Sequence, residues 1–185
     1  MNEKDIAGDL EEILVTAEDM DKRLDEIAGE IDAYYQGEQV LMIGVLRGSL
    51  MIMADLSRKL STPVAMDWMA LSSYGSGTQS SGVVRILKDL TEDIKGRHVL
   101  IVEDIIDSGL TLSWLVANLE TREPASIKIV TAVRKSEAVC RMNVNADWVA
   151  FDLPDAFLVG YGLDYNEKYR NLPFICTLAE HVYTS

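Results

Sequence analysis

Two kinds of hydrophobic spacing alternate along the chain, and together they predict an α/β protein. In the first part, apolar side chains recur every three or four positions, at Met20, Leu24, Ile27, Ile31 and Tyr34. This spacing predicts an amphipathic helix, with Thr16 able to cap its start and Gly37 able to end it. We therefore expect residues 1–37 to form an acidic N-terminal helical segment.

Short apolar runs follow this helix and have the length of strands that are buried on both faces. Strands are predicted over residues 40–45, 64–71, 83–88, 98–102 and 126–133, with helices over 50–60 and 111–121. Strands that alternate with helices are typical of a parallel sheet with helices on both faces. The expected fold class is α/β, with residues 1–185 forming a single domain.

The segment 72–82 interrupts this pattern, because nine of its 11 residues are Ser, Gly or Thr. Such a stretch has no apolar cluster of its own, so it should be either a linker or a flexible loop over an active site. Neither flanking part is long enough for two comfortable domains. We therefore favour the flexible loop, which Ser73 and Tyr74 would begin.

The charge distribution bears on possible partners. The chain has 17 Lys and Arg against 30 Asp and Glu, a formal net charge of -13. Such a charge repels a nucleic-acid backbone, so no nucleic-acid partner is expected. Twelve acidic and three basic residues among the first 32 contribute -9 of that charge. We interpret this acidic helix face as solvated surface, with an acidic docking site as the alternative.

The cysteines and the apolar runs bear on location. Cys140 and Cys176 are too few for a disulfide framework and lack metal-ligand spacing. The N-terminus has no signal-peptide pattern, and no apolar run reaches the roughly 18 residues that a membrane span needs. We expect a cytoplasmic protein with no membrane partner.

Ligands of parallel sheets bind beyond the carboxyl ends of the strands, which selects three segments. These segments are 46–49, 103–109 and 134–135. In the second, Ser108, Gly109 and Thr111 form a Ser-Gly-x-Thr turn that opens a helix. The small glycine, the hydroxyl groups and the free N–H groups of the helix start suit a phosphate.

Three carboxylates precede or begin this turn. Glu103 and Asp104 are consecutive on an extended segment, so they should point to opposite sides and cannot both grip one metal directly. One would face a sugar or metal-bound water. Asp107 lies beyond them, where a carboxylate could accept a proton. The alternative is that these acids cap the helix, which explains one carboxylate but not three.

The stretch Val-Glu-Asp-Ile-Ile-Asp-Ser-Gly-Leu-Thr at 102–111 resembles the phosphoribosyl-diphosphate (PRPP) signature of the type I phosphoribosyltransferases, in its purine-branch form. Leu46-Arg-Gly-Ser49 resembles the pyrophosphate-binding loop of that family, and Ser73-Tyr74 resembles the head of its flexible loop. Residues 157–170 are similar to the purine-binding segment of hypoxanthine-guanine phosphoribosyltransferases. The resemblance runs from about residue 40 to residue 178, in the order of the family.

The resemblance implies a type I phosphoribosyltransferase fold, a mostly parallel twisted sheet flanked by helices, with a small hood formed by the terminal segments. The implied reaction is purine salvage: with Mg²⁺, the phosphoribosyl group passes from PRPP to N9 of hypoxanthine or guanine, giving IMP or GMP and pyrophosphate. A transferase for another base such as xanthine is one alternative. A PRPP-sensing RNA-binding regulator is another, and the net charge argues against it. The family suggests a homodimer or homotetramer.

The resemblance also implies roles for the acidic loop and the pyrophosphate loop. Asp107 would be the general base at the purine N7, while Glu103 and Asp104 would contact the ribose hydroxyls and the magnesium shell. The 5'-phosphate would lie in the turn formed by Asp107, Ser108, Gly109, Leu110 and Thr111. The Leu46–Arg47 peptide is expected to be cis, which turns the N–H groups of Arg47 and Gly48 toward pyrophosphate.

For the base, the resemblance implies that Lys135 bonds the 6-oxo group, Phe157 stacks on the purine and the Leu158 backbone reads the ring edge. Asp164 would bind a second magnesium, with its backbone near the 2-amino group, and Arg170 would hold pyrophosphate. Taken alone, Phe157 is more often a core side chain and Arg170 more often a surface ion pair.

Three departures from the family's pattern affect these assignments. Arg47 stands where many relatives have Lys, and Leu110 replaces a polar residue. The stretch from Lys135 to Phe157 is about one residue longer than usual. This leaves Arg134 as a rival to Lys135 for the 6-oxo group.

Overall fold

The computed structural model describes residues 1–73, 84–135 and 145–183. The strands in these ranges are β1 (Leu10–Val15), β2 (Val40–Leu46), β3 (Val64–Ser73), β4 (Val84–Lys88), β5 (His98–Ile106), β6 (Ser126–Lys135), β7 (Trp148–Leu153), β8 (Leu158–Val159) and β9 (Ile175–Leu178). The α-helices are α1 (Ala17–Tyr35), α2 (Leu50–Lys59) and α3 (Leu110–Glu120), and short 3-10 helices span Glu3–Ile6 and Glu180–Val182.

A six-stranded sheet in the order β4-β3-β2-β5-β6-β7 forms the centre of the molecule. Its neighbouring strands pair in parallel, except for the antiparallel pair β3 and β4. The first four residues of β2 are fully buried, because side chains of both faces are covered. A continuous apolar run is what such a strand requires, so the predicted α/β class is confirmed.

The helices cover the sheet from two sides. Leu24 and Ile27 of α1 and Ile52 of α2 belong to one apolar cluster. Leu115 of α3 belongs to another, together with Ile101 of β5. The sheet therefore separates two cores, and its edges at the carboxyl ends of the strands remain open for a site.

A second, small sheet contains both terminal parts of the chain. It is antiparallel, with the order β1-β9-β8, and Ile13 of β1 pairs with Cys176 of β9. Its own apolar cluster includes Ile6, Val159 and Phe174. This sheet corresponds to the small hood of terminal segments that the family resemblance implied.

The prediction of a helical segment over residues 1–37 is wrong in its first part, because Leu10–Val15 is a strand. The partner strand β9 lies far along the chain, so the local pattern carries no sign of the pairing. Tyr34 is 51% exposed, whereas Tyr35 is buried. Tyr35 is the residue four positions after Ile31 and so continues the buried face of the helix.

The ends of α1 agree closely with the sequence signals. The Asp19 backbone N–H donates to Thr16 Oγ1 at 3.1 Å, which is the predicted cap. At the other end, Gln36 has a φ of +50° and Gly37 a φ of +89°. The left-handed turn therefore begins one residue before the glycine.

Several acids on the exposed face of α1 have partners within the chain. Lys59 of α2 lies 2.6 Å from Asp21 and 2.7 Å from Asp25, and Arg23 lies 2.9 Å from Glu26. In the ranges described, no helix is both long and apolar enough to cross a membrane. Ser73 ends β3, while Tyr74 and the rest of the predicted flexible loop lie outside the described residues.

Candidate active site

The three segments selected from the sequence lie at the carboxyl ends of adjacent strands. Strands β2, β5 and β6 are neighbours in the sheet, and the chain order reverses between β2 and β5. In open α/β sheets this reversal creates a crevice in which ligands bind. The segment after β2, the acidic end of β5 and Lys135 at the end of β6 therefore share one edge of the sheet.

The segment after β2 is held between β5 and the chain around residue 162. The Leu46–Arg47 peptide is cis, as the resemblance implied. A Cβ on Gly48 would overlap the Asp104 carboxylate, and a Cβ on Gly162 would overlap the Gly48 carbonyl oxygen. Gly162 also has a φ of +100°, which favours glycine. Gly162 was not among the predicted site residues, although it lies two residues after Gly160 within the segment that resembles the purine-binding segment.

The two adjacent acids of β5 have different surroundings. Glu103 is buried, and burial together with the nearby Asp104 charge raises its pKa well above the usual value. Burial also raises the pKa of Asp104. The Ile105 N–H donates to the Asp104 carboxylate at 2.9 Å, and this bond lowers the pKa only in part. Arg170 lowers the Asp104 pKa and Asp164 raises it. Asp104 is therefore the acid that faces the segment after β2 and the charges of residues 164–170.

The turn before α3 leaves the start of that helix without a side-chain cap. Gly109 has a φ of +72° and precedes the helix, whose first turn contains no acidic residue. The idea that the acids cap this helix is therefore wrong. Asp107 is 71% exposed, and the Leu110 N–H lies 3.4 Å from Ser108 Oγ. The first N–H groups of a helix have no intrahelical acceptor, so this turn can receive an anion.

Lys135 and Arg134 point to different carboxylates. Lys135 Nζ lies 2.8 Å from Asp155 and 3.7 Å from Asp107. Arg134 forms a two-point ion pair with Asp152, at 2.6 and 2.9 Å. The cation beside Asp107 is therefore Lys135, and the charge of Arg134 is already matched on the neighbouring strand β7.

Phe157 is not a core residue, because it is 45% exposed. Its ring stacks on Tyr183 at a centroid distance of 5.7 Å and meets the edge of Tyr165 at 5.5 Å. Leu158 is buried in β8, where it pairs with Thr177. Neither tyrosine was among the predicted site residues. Tyr165 lies in the purine-binding segment, but no sequence signal linked Tyr183 to Phe157.

A set of ion pairs connects the segment after β2 to residues 164–170. Arg170 Nη2 lies 2.7 Å from Asp164 and 3.6 Å from Glu167, and Arg170 Nη1 donates to the Gly162 carbonyl at 2.8 Å. Arg47 Nη1 lies 2.6 Å from Glu167. Among the described residues, the buried Nε of Arg170 has no hydrogen-bond acceptor. Glu167 was not among the predicted site residues.

The acids predicted to bind metal do not form a cage in the part of the chain that the structure describes. No group of three or more His, Cys, Asp or Glu side chains there could hold a metal ion. Asp104 and Asp164 nevertheless lie close enough for one charge to raise the pKa of the other. Magnesium commonly uses one or two carboxylates together with substrate phosphates and water. These two acids fit such a shared site, whereas Glu103 is buried.

Comparison with known proteins shows the class to which this fold and site belong. A family model described as "Phosphoribosyl transferase domain" matches residues 12–166. The chain therefore belongs to the phosphoribosyltransferase family.

The relatives narrow the family to one branch. The hypoxanthine-guanine phosphoribosyltransferase of Mycobacterium tuberculosis is 50% identical over 182 residues, which cover 95% of this chain and 90% of that protein. The enzyme of the same name from Bacillus subtilis is 50% identical over 177 residues, covering 96% of this chain and 98% of that protein. The chain is thus similar to hypoxanthine-guanine phosphoribosyltransferases over nearly its whole length.

Solved structures show the same likeness. A hypoxanthine phosphoribosyltransferase from Staphylococcus aureus superposes with a TM-score of 0.93 at 41% identity, covering 97% of both chains. A point mutant of the Trypanosoma cruzi enzyme, complexed with its product IMP, has a TM-score of 0.88 at 44% identity and covers 94% of both chains.

Proposed function

We propose that this protein is a purine-salvage enzyme, which transfers the phosphoribosyl group of PRPP to N9 of hypoxanthine or guanine. The products are IMP or GMP and pyrophosphate. The observation that carries this proposal is the meeting of Asp107, Lys135 and an uncapped helix start at one edge of the sheet. A carboxylate, an ammonium donor and an anion site are the groups that an oxopurine and a sugar phosphate require.

The turn 107–111 would hold the 5'-phosphate of PRPP. The helix start offers N–H groups, and the Ser108 and Thr111 hydroxyls add donors without any lysine. Gly109 lets the backbone approach the phosphate closely, because glycine has no side chain. It also adopts the left-handed φ of +72° without strain. The exposed Leu110 would contribute its backbone N–H only. Glu103 and Asp104, near the end of β5, would lie beside the ribose hydroxyls.

The leaving pyrophosphate needs positive charge as its bond to C1' of the ribose breaks. Arg47 and Gly48 on one side and Arg170 on the other would supply donors to it. Mg²⁺, with ligands from Asp104, Asp164 and the substrate oxygens, would neutralise the phosphate charge and orient the group. The buried, unpaired Nε of Arg170 supports this assignment, because an unpaired donor is costly unless a ligand accepts from it.

The base would be held between Phe157 and the end of β6. Phe157 presents enough exposed ring surface for stacking, and Lys135 would donate to the 6-oxo group. Adenine carries an amino group there, which is itself a donor, so it would be rejected. Asp107 would accept the proton that leaves N7 as the bond between N9 and C1' forms. Ser73 and Tyr74 begin the segment that would exclude water.

Other features complete the proposal. We propose that residues 1–185 form a single domain, that the enzyme acts in the cytoplasm and that it assembles as a homodimer or homotetramer. Light scattering of the purified chain measures the assembly. A monomer with full activity would contradict that part of the proposal without affecting the reaction.

A base panel tests the reaction. Hypoxanthine, guanine, xanthine, adenine and uracil are each supplied with PRPP and Mg²⁺, and pyrophosphate release is followed. We expect turnover with hypoxanthine and guanine and none with adenine or uracil. Turnover with xanthine alone would change the substrate, and turnover with uracil alone, or with no base, would refute the proposal.

A further inference from the structure

Two arginines from distant parts of the chain share one carboxylate. Arg47 follows β2 and Arg170 follows β8, yet Glu167 Oε2 lies 2.6 Å from Arg47 Nη1 and 3.6 Å from Arg170 Nη2. These are the two arginines that the proposed function assigns to pyrophosphate. The Glu167 carboxylate therefore lies where an anionic ligand would neutralise both guanidinium groups.

The backbone of Glu167 is held by a hydrogen bond, while its side chain is largely exposed. Its N–H donates to Asp164 Oδ2 at 2.9 Å, and its φ of +61° follows a φ of +50° at Asn166. Such left-handed conformations are uncommon for residues other than glycine and are often found at functional sites. The Glu167 side chain is 64% exposed, so its carboxylate can leave the arginines by rotation into solvent.

The remaining charges around the two arginines do not duplicate Glu167. Asp164 pairs with Arg170 at 2.7 Å. The charge of Arg170 also acts on Asp104, whose pKa it lowers. Arg47 has Glu167 as its only ion-pair partner among the described residues. Removing Glu167 would therefore leave Arg47 without a carboxylate, and Arg170 with one.

We propose that Glu167 is a built-in counter-ion of the pyrophosphate subsite. Its carboxylate pairs with Arg47 and lies near Arg170 in the free enzyme, must leave when a diphosphate binds, and returns when pyrophosphate departs. Glu167 thereby weakens pyrophosphate binding and favours product release. This inference rests on the proposed function, since it takes Arg47 and Arg170 to be the groups that bind pyrophosphate.

The test compares the full-length chain with Glu167→Gln and Glu167→Ala. Binding of inorganic pyrophosphate with Mg²⁺ is measured by calorimetry and by product inhibition against PRPP. Because exposed ion pairs are weak, we expect pyrophosphate to bind about two- to fivefold more tightly to both variants, and the gain to shrink in high salt. The affinity for IMP should not change, since Glu167 is assigned no contact with it.

The matched control is Glu92→Gln, which removes one negative charge from another exposed ion pair, with Arg97 at 3.2 Å. This variant should bind pyrophosphate like the wild type. Unchanged or weaker pyrophosphate binding by both Glu167 variants would overturn the inference, as would an equal gain in the control. If the wild type neither binds pyrophosphate nor converts hypoxanthine, the proposed function fails as well, whereas an active wild type with unaffected variants refutes the role of Glu167 alone.

Discussion

Replacing Gly48 by alanine tests whether the segment after β2 and the acidic end of β5 act as one site. The added Cβ would lie 3.2 Å from Asp104 Cβ and would overlap the Cγ and Oδ2 atoms of the carboxylate. Since an ordinary carbon–oxygen contact is about 3.3 Å or more, the carboxylate or the backbone must move by about 1–2 Å. The change therefore displaces a proposed magnesium ligand without altering its chemistry.

The expected loss follows from this displacement. A shift of about 1 Å at a reacting centre can lower the rate by about 100-fold, so we expect kcat/KM for PRPP to fall by about that factor. Overpacking typically costs about 1–3 kcal/mol of the free energy of unfolding. For a chain of this size, such a loss lowers Tm by roughly 2–12 °C.

The assay is steady-state release of pyrophosphate with hypoxanthine, at varied PRPP and Mg²⁺, together with thermal unfolding. The matched control is Gly29→Ala, since Gly29 lies on the exposed face of α1 and nothing lies within 4 Å of its added Cβ. Because alanine is the better helix former, this control should gain about 0.5–1 kcal/mol of stability and keep full activity.

Two results would refute the reasoning. One is a folded Gly48→Ala variant whose kcat/KM stays within about threefold of the wild type, since the overlap would then have no effect on the site. The other is an equal loss of activity in Gly29→Ala. Addition of excess Mg²⁺ separates binding from geometry, because a displaced ligand should raise the magnesium requirement.

Four further substitutions, in three tests, address the site and the fold. Asp107→Asn should lower kcat strongly while the KM for PRPP changes little, and equal turnover would remove Asp107 from the role of base. Lys135→Met should raise the KM for hypoxanthine by about 10- to 100-fold, whereas Arg134→Met should change this KM less than about twofold. A larger effect of Arg134→Met would assign the 6-oxo group to Arg134. Asp67 is buried; burial alone would raise its pKa, but backbone N–H bonds from Glu92, Trp68 and Thr91 outweigh this and lower it. The ionised Asp67 carboxylate therefore stabilises the fold fully above its ordinary pKa, and this stabilisation is lost as pH falls through the lowered pKa of the folded state. Asp67→Asn should lower the free energy of unfolding in urea by about 1–3 kcal/mol at pH 7 and by less below pH 4. A loss that stays constant with pH would contradict the lowered pKa.

The secondary structure was predictable where it depends on neighbours in sequence. The strand β2 is a continuous apolar run, and the buried face of α1 recurs at helical spacing between its cap at Thr16 and its end at Tyr35. The strand β1 was not predictable from such patterns. It forms because β9 offers a row of hydrogen-bonding partners, which brings together residues from opposite ends of the chain.

The candidate site divides in the same way. Asp107, Ser108 and Gly109 are contiguous, so their chemistry was visible as a motif, and the structure places them before α3 as expected. Glu167 lies within the stretch 157–170 and Tyr183 lies outside it, and neither was among the predicted site residues. Each becomes relevant through a partner in another segment, Arg47 for the first and Phe157 for the second.

The sequence by itself determined the fold class and the chemical groups that each loop carries, because both depend on the order and spacing of residues within a few turns of chain. Only the tertiary structure decided which charges neutralise one another, such as Arg134 with Asp152 and Lys135 beside Asp107. It also decided the raised pKa of Glu103. Electrostatic interaction depends on distance in space and on burial, and neither quantity is defined until the strands are assembled side by side.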